Sequence, residues 1–364
     1  MELVLWCDKP LTQIIVEKMS KEWNISCIID DEAGGEPEKC IGGAPVVSFL
    51  EFRKKYLRKV DGGLVVIGDD KIRAVAVNLL QYFGVSNLGF PLLHRAFEIS
   101  RQGIVWTEGK PYLSAVEIHL MDSCNLNCTG CSHFSNLFER DSVYDYNRFV
   151  EDLVVLSRRV FFSKLYLLGG EPLTNPRLAD YLQAARRIYP EREITLVTNG
   201  LLIPKQSDAV LEVFRKENIG IEISLYPPTS KMLDKIKERM KNTGIYCLIR
   251  AERPTFFAFL GTEGINDPYV SQEVCCNAYC RYVRNGRLYK CPVDAMSYKY
   301  NEAFGTNLPP AEGISLYSEN FERELALLEQ PVQLCRYCTE KPRVFSWSAN
   351  ANPKKEDWFG NSCE

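Results

Sequence analysis

The chain is poor in histidine, with 3 among 364 residues. That starves any mixed cysteine–histidine zinc site of ligands. It also lacks a basic excess: 44 Lys+Arg stand against 47 Asp+Glu, a formal charge of −3. A nucleic-acid or anionic-membrane footprint needs such an excess and is not expected. No apolar run is long enough to span a bilayer. The first residues, Met1 to Cys7, put no basic region ahead of a long apolar stretch, so no signal peptide is expected and the cytoplasm is the expected location. Internal repeats and low-complexity tracts are missing. What remains, 46% hydrophobic and 25% charged residues, is ordinary for a chain that buries a core.

Cysteine is the exception, at 14 residues. This is below the roughly 8–10% of a disulfide scaffold, and a reducing compartment disfavours disulfides. The distribution is uneven. Cys7, Cys27 and Cys40 are scattered, and Cys247 and Cys363 stand alone. Cys124, Cys128 and Cys131 are bunched, and Cys275, Cys276, Cys280, Cys291, Cys335 and Cys338 form a second group. Bunched thiols without histidine point to thiolate–metal chemistry.

Residues 1–110 read as a small α/β unit. Strands are predicted at Leu3–Trp6, Ile25–Ile29 and Gly63–Gly68, with helices at Leu11–Lys21 and near Ala74–Phe83. Asp30 and Asp31 end the second strand where dinucleotide folds place a ribose-binding acid. The first turn, Trp6 to Leu11, has no glycine for a pyrophosphate to approach, so a packing or partner-docking role is expected. From residue 114 the rhythm becomes regular. Strands are predicted at Val116–Leu120, Leu165–Leu168, Ile194–Val197, Ile221–Leu225 and Tyr246–Ile249. The intervening helices are Tyr146–Val160, Pro176–Ile188, Asp208–Glu217 and Ser230–Lys241. Parallel strands with crossover helices make a barrel or an open doubly wound sheet. After residue 250 the rhythm fails and a loop-rich module begins. The expected divisions are 1–110, 111–255 and 256–364.

Cys124, Cys128 and Cys131 follow the first strand of the regular series. Three thiolates on a strand-end loop suit three irons of a cubane cluster and leave the fourth iron open. Here the chain resembles the radical SAM enzymes, in which this motif holds a [4Fe–4S] cluster and S-adenosylmethionine, and cleavage yields a 5′-deoxyadenosyl radical. Gly169, Gly170, Glu171 and Pro172 match the segment that binds the methionine amino group. Thr198 and Asn199, ahead of Gly200, and Ser224 match positions used for the ribose and carboxylate. Strand-end glycines expose backbone groups, and a nearby Glu171 suits an ammonium. In one respect the chain departs from the family. An aromatic residue usually precedes the third cysteine, and here that residue is Gly130. His133 or Phe134 are alternatives for an adenine surface, and His133 is equally placed to tune a cluster. His119 reads as a packed or ligand-supporting residue.

In the second group, Asn285-Gly286 is a hairpin signal and Cys291 leaves the returning strand. With Cys335 and Cys338 downstream, the pattern resembles the SPASM/twitch auxiliary-cluster modules of the family, in a single-cluster form. The resemblance implies a second [4Fe–4S] cluster on Cys291, Cys335, Cys338 and a fourth thiol, Cys276 or Cys280. A spare member of the pair is a candidate hydrogen-atom donor, as in an epimerase. A fully ligated cluster suits a dehydrogenase, and zinc at this site is the other possibility. Arg250 and Arg253 are candidate anion ligands. Phe304–Pro310 and Arg343–Trp347 read either as site covers or as loop packing.

The resemblance, together with Ser132–Ser135, Gly286–Tyr289 and Phe304–Pro309, implies an α/β fold. It comprises a Rossmann-like N-terminal domain, a partial (β/α)6 radical SAM barrel and a small cysteine-rich C-terminal module. It implies hydrogen abstraction from a carbohydrate or nucleotide sugar, with oxidation or epimerisation, and a flavodoxin or ferredoxin as electron donor. Peptide modification is the second enzyme reading, and a zinc-organised binding scaffold is the reading from another class.

Overall fold

The computed structural model describes residues 2–7, 16, 24–30, 40–56, 64–67, 97–100, 103–106 and 110–360 apart from 191, 262, 276, 278 and 279. Cys276, Asp31, His94, Cys363, nearly all of the predicted helix at Leu11–Lys21 and the whole of that near Ala74–Phe83 lie outside this set. The chain divides into two compact units, Met1–Glu98 with Val105–Ser114, and Ile99–Ile104 with Ala115–Glu364.

The first unit holds a five-stranded sheet built from β1 (Glu2–Cys7), β2 (Asn24–Ile29), β3 (Cys40–Ile41), β4 (Ala44–Val47) and β5 (Leu64–Ile67). Its order is β3-β4-β2-β1-β5. β1 pairs parallel with β2 and β5, and β2 pairs parallel with β4. The four parallel strands thus run outward both ways from β1, the arrangement of a doubly wound fold. The short β3–β4 hairpin and the helix α1 (Phe49–Lys55) have weak sequence signals. α1 begins where Ser48 Oγ accepts the backbone N–H of Glu51 at 3.2 Å. β6 (Phe97–Ser100) and β7 (Gly103–Trp106) form a separate two-stranded sheet.

The second unit is organised by an eight-stranded sheet. Along the chain come β8 (Tyr112–Met121), α2 (Tyr146–Arg159), β9 (Phe161–Gly169), α3 (Leu178–Ile188), β10 (Glu193–Thr198), α4 (Asp208–Lys216) and β11 (Gly220–Ile223). Then follow α5 (Pro227–Ser230), α6 (Leu233–Met240) and β12 (Cys247–Ile249). Every predicted strand and helix of this stretch has its counterpart, displaced by at most a few residues. α2 shows why. Asp145 caps it by accepting the Arg148 N–H at 2.9 Å, Arg158 and Arg159 occupy its last turn, and Phe149, Asp152, Leu153 and Leu156 form its buried stripe.

The rest of the chain adds β13 (Thr255–Leu260), α7 (Pro268–Glu273), β14 (Tyr282–Arg284), β15 (Arg287–Tyr289) and α8 (Pro292–Phe304). It ends with β16 (Ile314–Ser315), α9 (Phe321–Leu325) and β17 (Cys338–Ser346). The sheet order is β12-β11-β10-β9-β8-β14-β15-β16. Five strands alternate with helices as expected, but the sixth parallel position is not filled by the next strand. β13 pairs antiparallel with β17, and β14 instead lies parallel beside β8, with Tyr282 opposite Glu117. The hairpin turn explains the placement. Asn285 and Gly286 have φ of 50° and 70°, the conformation that the Asn-Gly pair allows. Tyr144 and Asp152 then accept the N–H groups of Asn285 and Gly286, both at 2.7 Å.

Side chains alternate across this sheet. On one face Val116, Ile118, Leu120, Leu165, Leu167, Ile194, Leu196, Ile221 and Ile223 are all buried. By register, the other face carries Glu117, His119, Tyr166, Thr195, Glu222 and Tyr282. The apolar face packs the crossover helices, so the inner face of the partial barrel is polar.

Candidate active site

The loop after β8 carries Cys124, Cys128 and Cys131. Asn127 and Gly130 take φ of 49° and 68°, which lets the loop curl so that the three sulfurs interact electrostatically with one another. Two of the thiols receive N–H donors. Leu126 N–H reaches Cys124 Sγ at 3.4 Å, and the Trp347 indole N–H reaches Cys128 Sγ at 3.2 Å. Burial pushes the Cys128 thiol up to about 12, and burial followed by the nearby Glu171 pushes Cys124 up as well. Thiols in this setting ionise when a cation takes the sulfur.

Gly130 explains the missing aromatic. A Cβ there would lie 2.9 Å from the Asp357 carbonyl oxygen and 3.2 Å from the Phe345 ring. The space an aromatic side chain would need is occupied by the C-terminal segment. Phe134 is not at the site: it is fully buried against Tyr300 and Trp358. Phe304 belongs to the same aromatic cluster, and Thr306 and Leu308 are tied to Asn301 Oδ1, both at 2.8 Å, so this stretch is packing. The Arg343–Trp347 stretch, by contrast, ends over the cysteine loop.

At the Gly169–Pro172 corner the glycines are needed for close packing. A Cβ on Gly169 would meet the Met121 carbonyl oxygen at 1.9 Å, and one on Gly170 would meet that of Ser123 at 2.1 Å. The glycines permit backbone contact between the two strand ends, sealed by Gly170 N–H to Met121 O at 2.7 Å and Glu171 N–H to Ser123 O at 3.0 Å. Glu171 is fully buried and points inward, accepting from Thr198 Oγ1 at 2.6 Å, Asn199 N at 2.8 Å and Leu173 N at 3.0 Å. Burial lifts its carboxyl to about 7 against those bonds. Glu171 therefore ties β9 to β10 while acting electrostatically on Cys124 of the loop. Pro172 starts the short turn beyond it. Asn199 faces the cysteine loop, donating to Asn125 Oδ1 at 2.7 Å, while Ser224 hydrogen-bonds Tyr226, whose ring senses Cys128 and Cys131.

A buried polar chain backs the loop. Arg284 donates twice to Asp122, at 2.8 Å each, and Asp122 accepts from His119 Nδ1 at 2.8 Å. His119 Nε2 lies 3.2 Å from His133 Nδ1, which is 3.4 Å from the Gly169 carbonyl. The network assigns the protons: His119 gives Nδ1–H to Asp122, and His133 gives Nδ1–H to His119 Nε2 and Gly169 O. Burial, reinforced by His119, lowers His133 to about 3, so both rings are neutral. Sequence reading singled out the two histidines but not Asp122 or Arg284. The His119-x-x-Asp122 spacing at a strand end was the available signal.

On the inner face of the barrel, Glu222 accepts two bonds from Arg250, at 2.8 and 3.0 Å. Arg250 is thus held by its own carboxylate, whereas Arg253 is exposed near Tyr226. Burial pushes Glu117 up to about 7, although the Cys280 thiol hydrogen-bonds it.

The described cysteines of the second group meet different neighbours. Cys275, Cys291, Cys335 and Cys338 act on one another electrostatically and line one narrow pocket with apolar walls including Phe259 and Val293. Cys291 caps α8, accepting the Asp294 N–H at 3.4 Å. Lys290, 2% exposed, lines the same cavity. The expected fourth thiol was Cys276 or Cys280. Cys276 lies outside the described residues, Cys280 faces Glu117, and Cys275 is the thiol described beside Cys291, Cys335 and Cys338. Among the described residues, no three His, Cys, Asp or Glu side chains converge closely enough for a single metal ion.

Residues 118–249, from β8 to β12, match the Radical SAM superfamily. This stretch is a radical SAM domain. The GTP 3′,8-cyclase of Alkaliphilus oremlandii (strain OhILAs) is 27% identical over 138 residues, 35% of this chain and 43% of that protein. The Aquifex aeolicus (strain VF5) enzyme of the same name is 26% identical over 164 residues, 43% of this chain and 50% of its own. The chain thus spans no more than half of these relatives. Among solved structures, Streptococcus suis SuiB bound to S-adenosylmethionine aligns at TM-score 0.32 and 22% identity, covering 39% of this chain and 35% of that one. BtrN in complex with AdoMet and 2-DOIA aligns at TM-score 0.39 and 14% identity, covering 62% and 93%.

The radical SAM superfamily uses a [4Fe–4S] cluster and S-adenosylmethionine. The donor set fits such a cluster: three thiols on one loop that act on one another, with N–H bonds on two of the sulfurs.

Proposed function

We propose that Cys124, Cys128 and Cys131 hold the catalytic cluster, that Cys275, Cys291, Cys335 and Cys338 hold a second one, and that the enzyme inverts a carbon centre of a polyhydroxylated substrate. A carbohydrate or nucleotide sugar is the class this reading favours. The polar inner face, with Glu117, Tyr166, Thr195, Glu222 and Arg250, suits a ligand rich in hydroxyls. The name of the relatives, GTP 3′,8-cyclase, is compatible with a nucleotide-bearing substrate.

One observation carries the choice of inversion over oxidation: the Cys280 thiol hydrogen-bonds Glu117, on the inner face of the barrel. With its cofactors bound, the site supplies a 5′-deoxyadenosyl radical, which takes a hydrogen atom from a substrate carbon. Cys280 holds a hydrogen atom at Sγ that can be given back on the opposite face. Its sulfur then requires one electron and one proton. Glu117, whose carboxyl burial raises to about 7, keeps a share of its proton at neutral pH and hydrogen-bonds that sulfur. The four-cysteine site lies in the same unit as a place for the electron carrier, and a flavodoxin or ferredoxin suits the role of external reductant.

The test uses the reconstituted chain in D2O with dithionite, S-adenosylmethionine and a panel of UDP- and GDP-hexoses. Inversion puts one solvent deuterium into the product, and Cys280→Ala removes that label while 5′-deoxyadenosine still forms. A product lighter by H2, without deuterium, overturns inversion in favour of oxidation.

A further inference from the structure

The strand β17 begins at Cys338 and runs to Ser346, and the chain beyond it zips onto the cysteine loop. Thr129 N–H donates to Ser348 O at 2.9 Å, Asn350 N–H donates to Asn127 O at 2.8 Å, and Cys128 and Ala349 form an antiparallel bridge. Between these contacts and β17 sits Trp347. Its own N–H is fixed to Pro254 O at 2.7 Å, its ring stacks on Tyr226 at 6.4 Å and 23°, and its indole N–H points at Cys128 Sγ at 3.2 Å. An indole nitrogen only donates, so the direction of this bond is unambiguous. Cys128 is 7% exposed, and water competes little for the sulfur.

We propose that Trp347 is a positioning residue that sets the reduction potential of the cluster on Cys124, Cys128 and Cys131, and that β17 links this setting to the Cys338 site. The physics is one of charge. Reduction adds one electron, spread partly over the ligand sulfurs. A fixed N–H dipole aimed at a sulfur stabilises the reduced form more than the oxidised form and raises the potential. Most donors of this kind are backbone N–H groups, which mutation leaves in place. Trp347 is a side chain 219 residues from its acceptor, so it can be removed without touching the loop. Because the donor is delivered by the strand that Cys338 begins, loss of the cysteine site should release it.

The inference rests on the cluster assignment above, and the two can fail separately. Wild type, Trp347→Phe, Ser348→Ala and Cys338→Ala chains are reconstituted anaerobically, and the catalytic cluster is titrated electrochemically with EPR detection of its reduced form. The expected result is a more negative potential in Trp347→Phe, no change in Ser348→Ala, which loosens the same zipper but keeps the N–H, and a shift of the Trp347→Phe kind in Cys338→Ala. Should Trp347→Phe fail to load iron, ENDOR on reduced wild-type protein carrying 15N-indole tryptophan gives the answer: a nitrogen coupling from one indole is expected. An unchanged potential in an iron-replete Trp347→Phe chain, or absence of that coupling, overturns the proposal. An unchanged potential in Cys338→Ala overturns the link. A wild-type chain that takes up no iron defeats the cluster assignment instead.

Discussion

Trp358 donates its indole N–H to the carbonyl of Cys131 at 2.9 Å while its ring is fully buried against Phe134, Tyr300 and Phe304. The core of the C-terminal region and the third cysteine of the loop are thus held by one side chain. Trp358→Phe keeps most of the packing and orphans the carbonyl, a loss of about 1–3 kcal/mol. Trp358→Ala adds a cavity and is expected to cost about 3–5 kcal/mol. Urea unfolding followed by circular dichroism measures both. Equal losses would mean the hydrogen bond, not the ring, dominates.

Gly130 is where the family's usual aromatic is absent. Gly130→Tyr should not restore an adenine surface, because the new Cβ meets Asp357 O and the positive φ is strained for any side chain. The variant is expected to fold, to lose the contacts between residues 127–130 and 345–357, and to hold less iron. Iron per chain after reconstitution checks this, and unchanged iron would show that the C-terminal segment can yield.

How much of this was legible in the sequence follows from range. The β/α series was legible because apolar residues recur at helical spacing and caps such as Asp145 mark the starts. The Asn285-Gly286 turn was legible because few residue pairs take its dihedrals. The antiparallel pairing of β13 with β17, and the placement of β14 beside β8, depend on contacts far apart in the chain, for which local periodicity has no signal. The same holds at the site. Cys124, Cys128 and Cys131 carry their own spacing, but Trp347 reaches Cys128 only through the fold. The donors that fix Glu171, on Thr198, Asn199 and Leu173, likewise come from the fold and not from the motif.

The division between Cys275 and Cys280 gives an iron count. With two [4Fe–4S] clusters the wild-type chain holds about eight irons. Cys275→Ala should fall toward about four, and Cys280→Ala should stay near about eight. The reverse pattern would return Cys280 to the cluster and remove it as hydrogen donor.

Glu117 sets a pH dependence. Its carboxyl is raised from 4.5 to about 7, so the folded chain binds this proton more tightly than the unfolded chain. The stability it contributes is full below 4.5 and is lost as pH rises through about 7, an effect of at most about 3 kcal/mol. Glu117→Gln has no proton to lose. Its stability relative to wild type should therefore improve between pH 4.5 and pH 7. A constant difference across that window in urea titrations would place the Glu117 carboxyl at its ordinary value.

Radical chemistry on S-adenosylmethionine at the loop of Cys124, Cys128 and Cys131 leaves a product that can be counted. Anaerobic reconstitution with iron and sulfide, followed by dithionite and S-adenosylmethionine, measures it directly by chromatography of the products. 5′-Deoxyadenosine is expected from the wild-type chain and none from Cys128→Ala. A wild-type chain that carries iron or zinc on these thiols yet releases no 5′-deoxyadenosine would contradict it and leave a metal-organised scaffold.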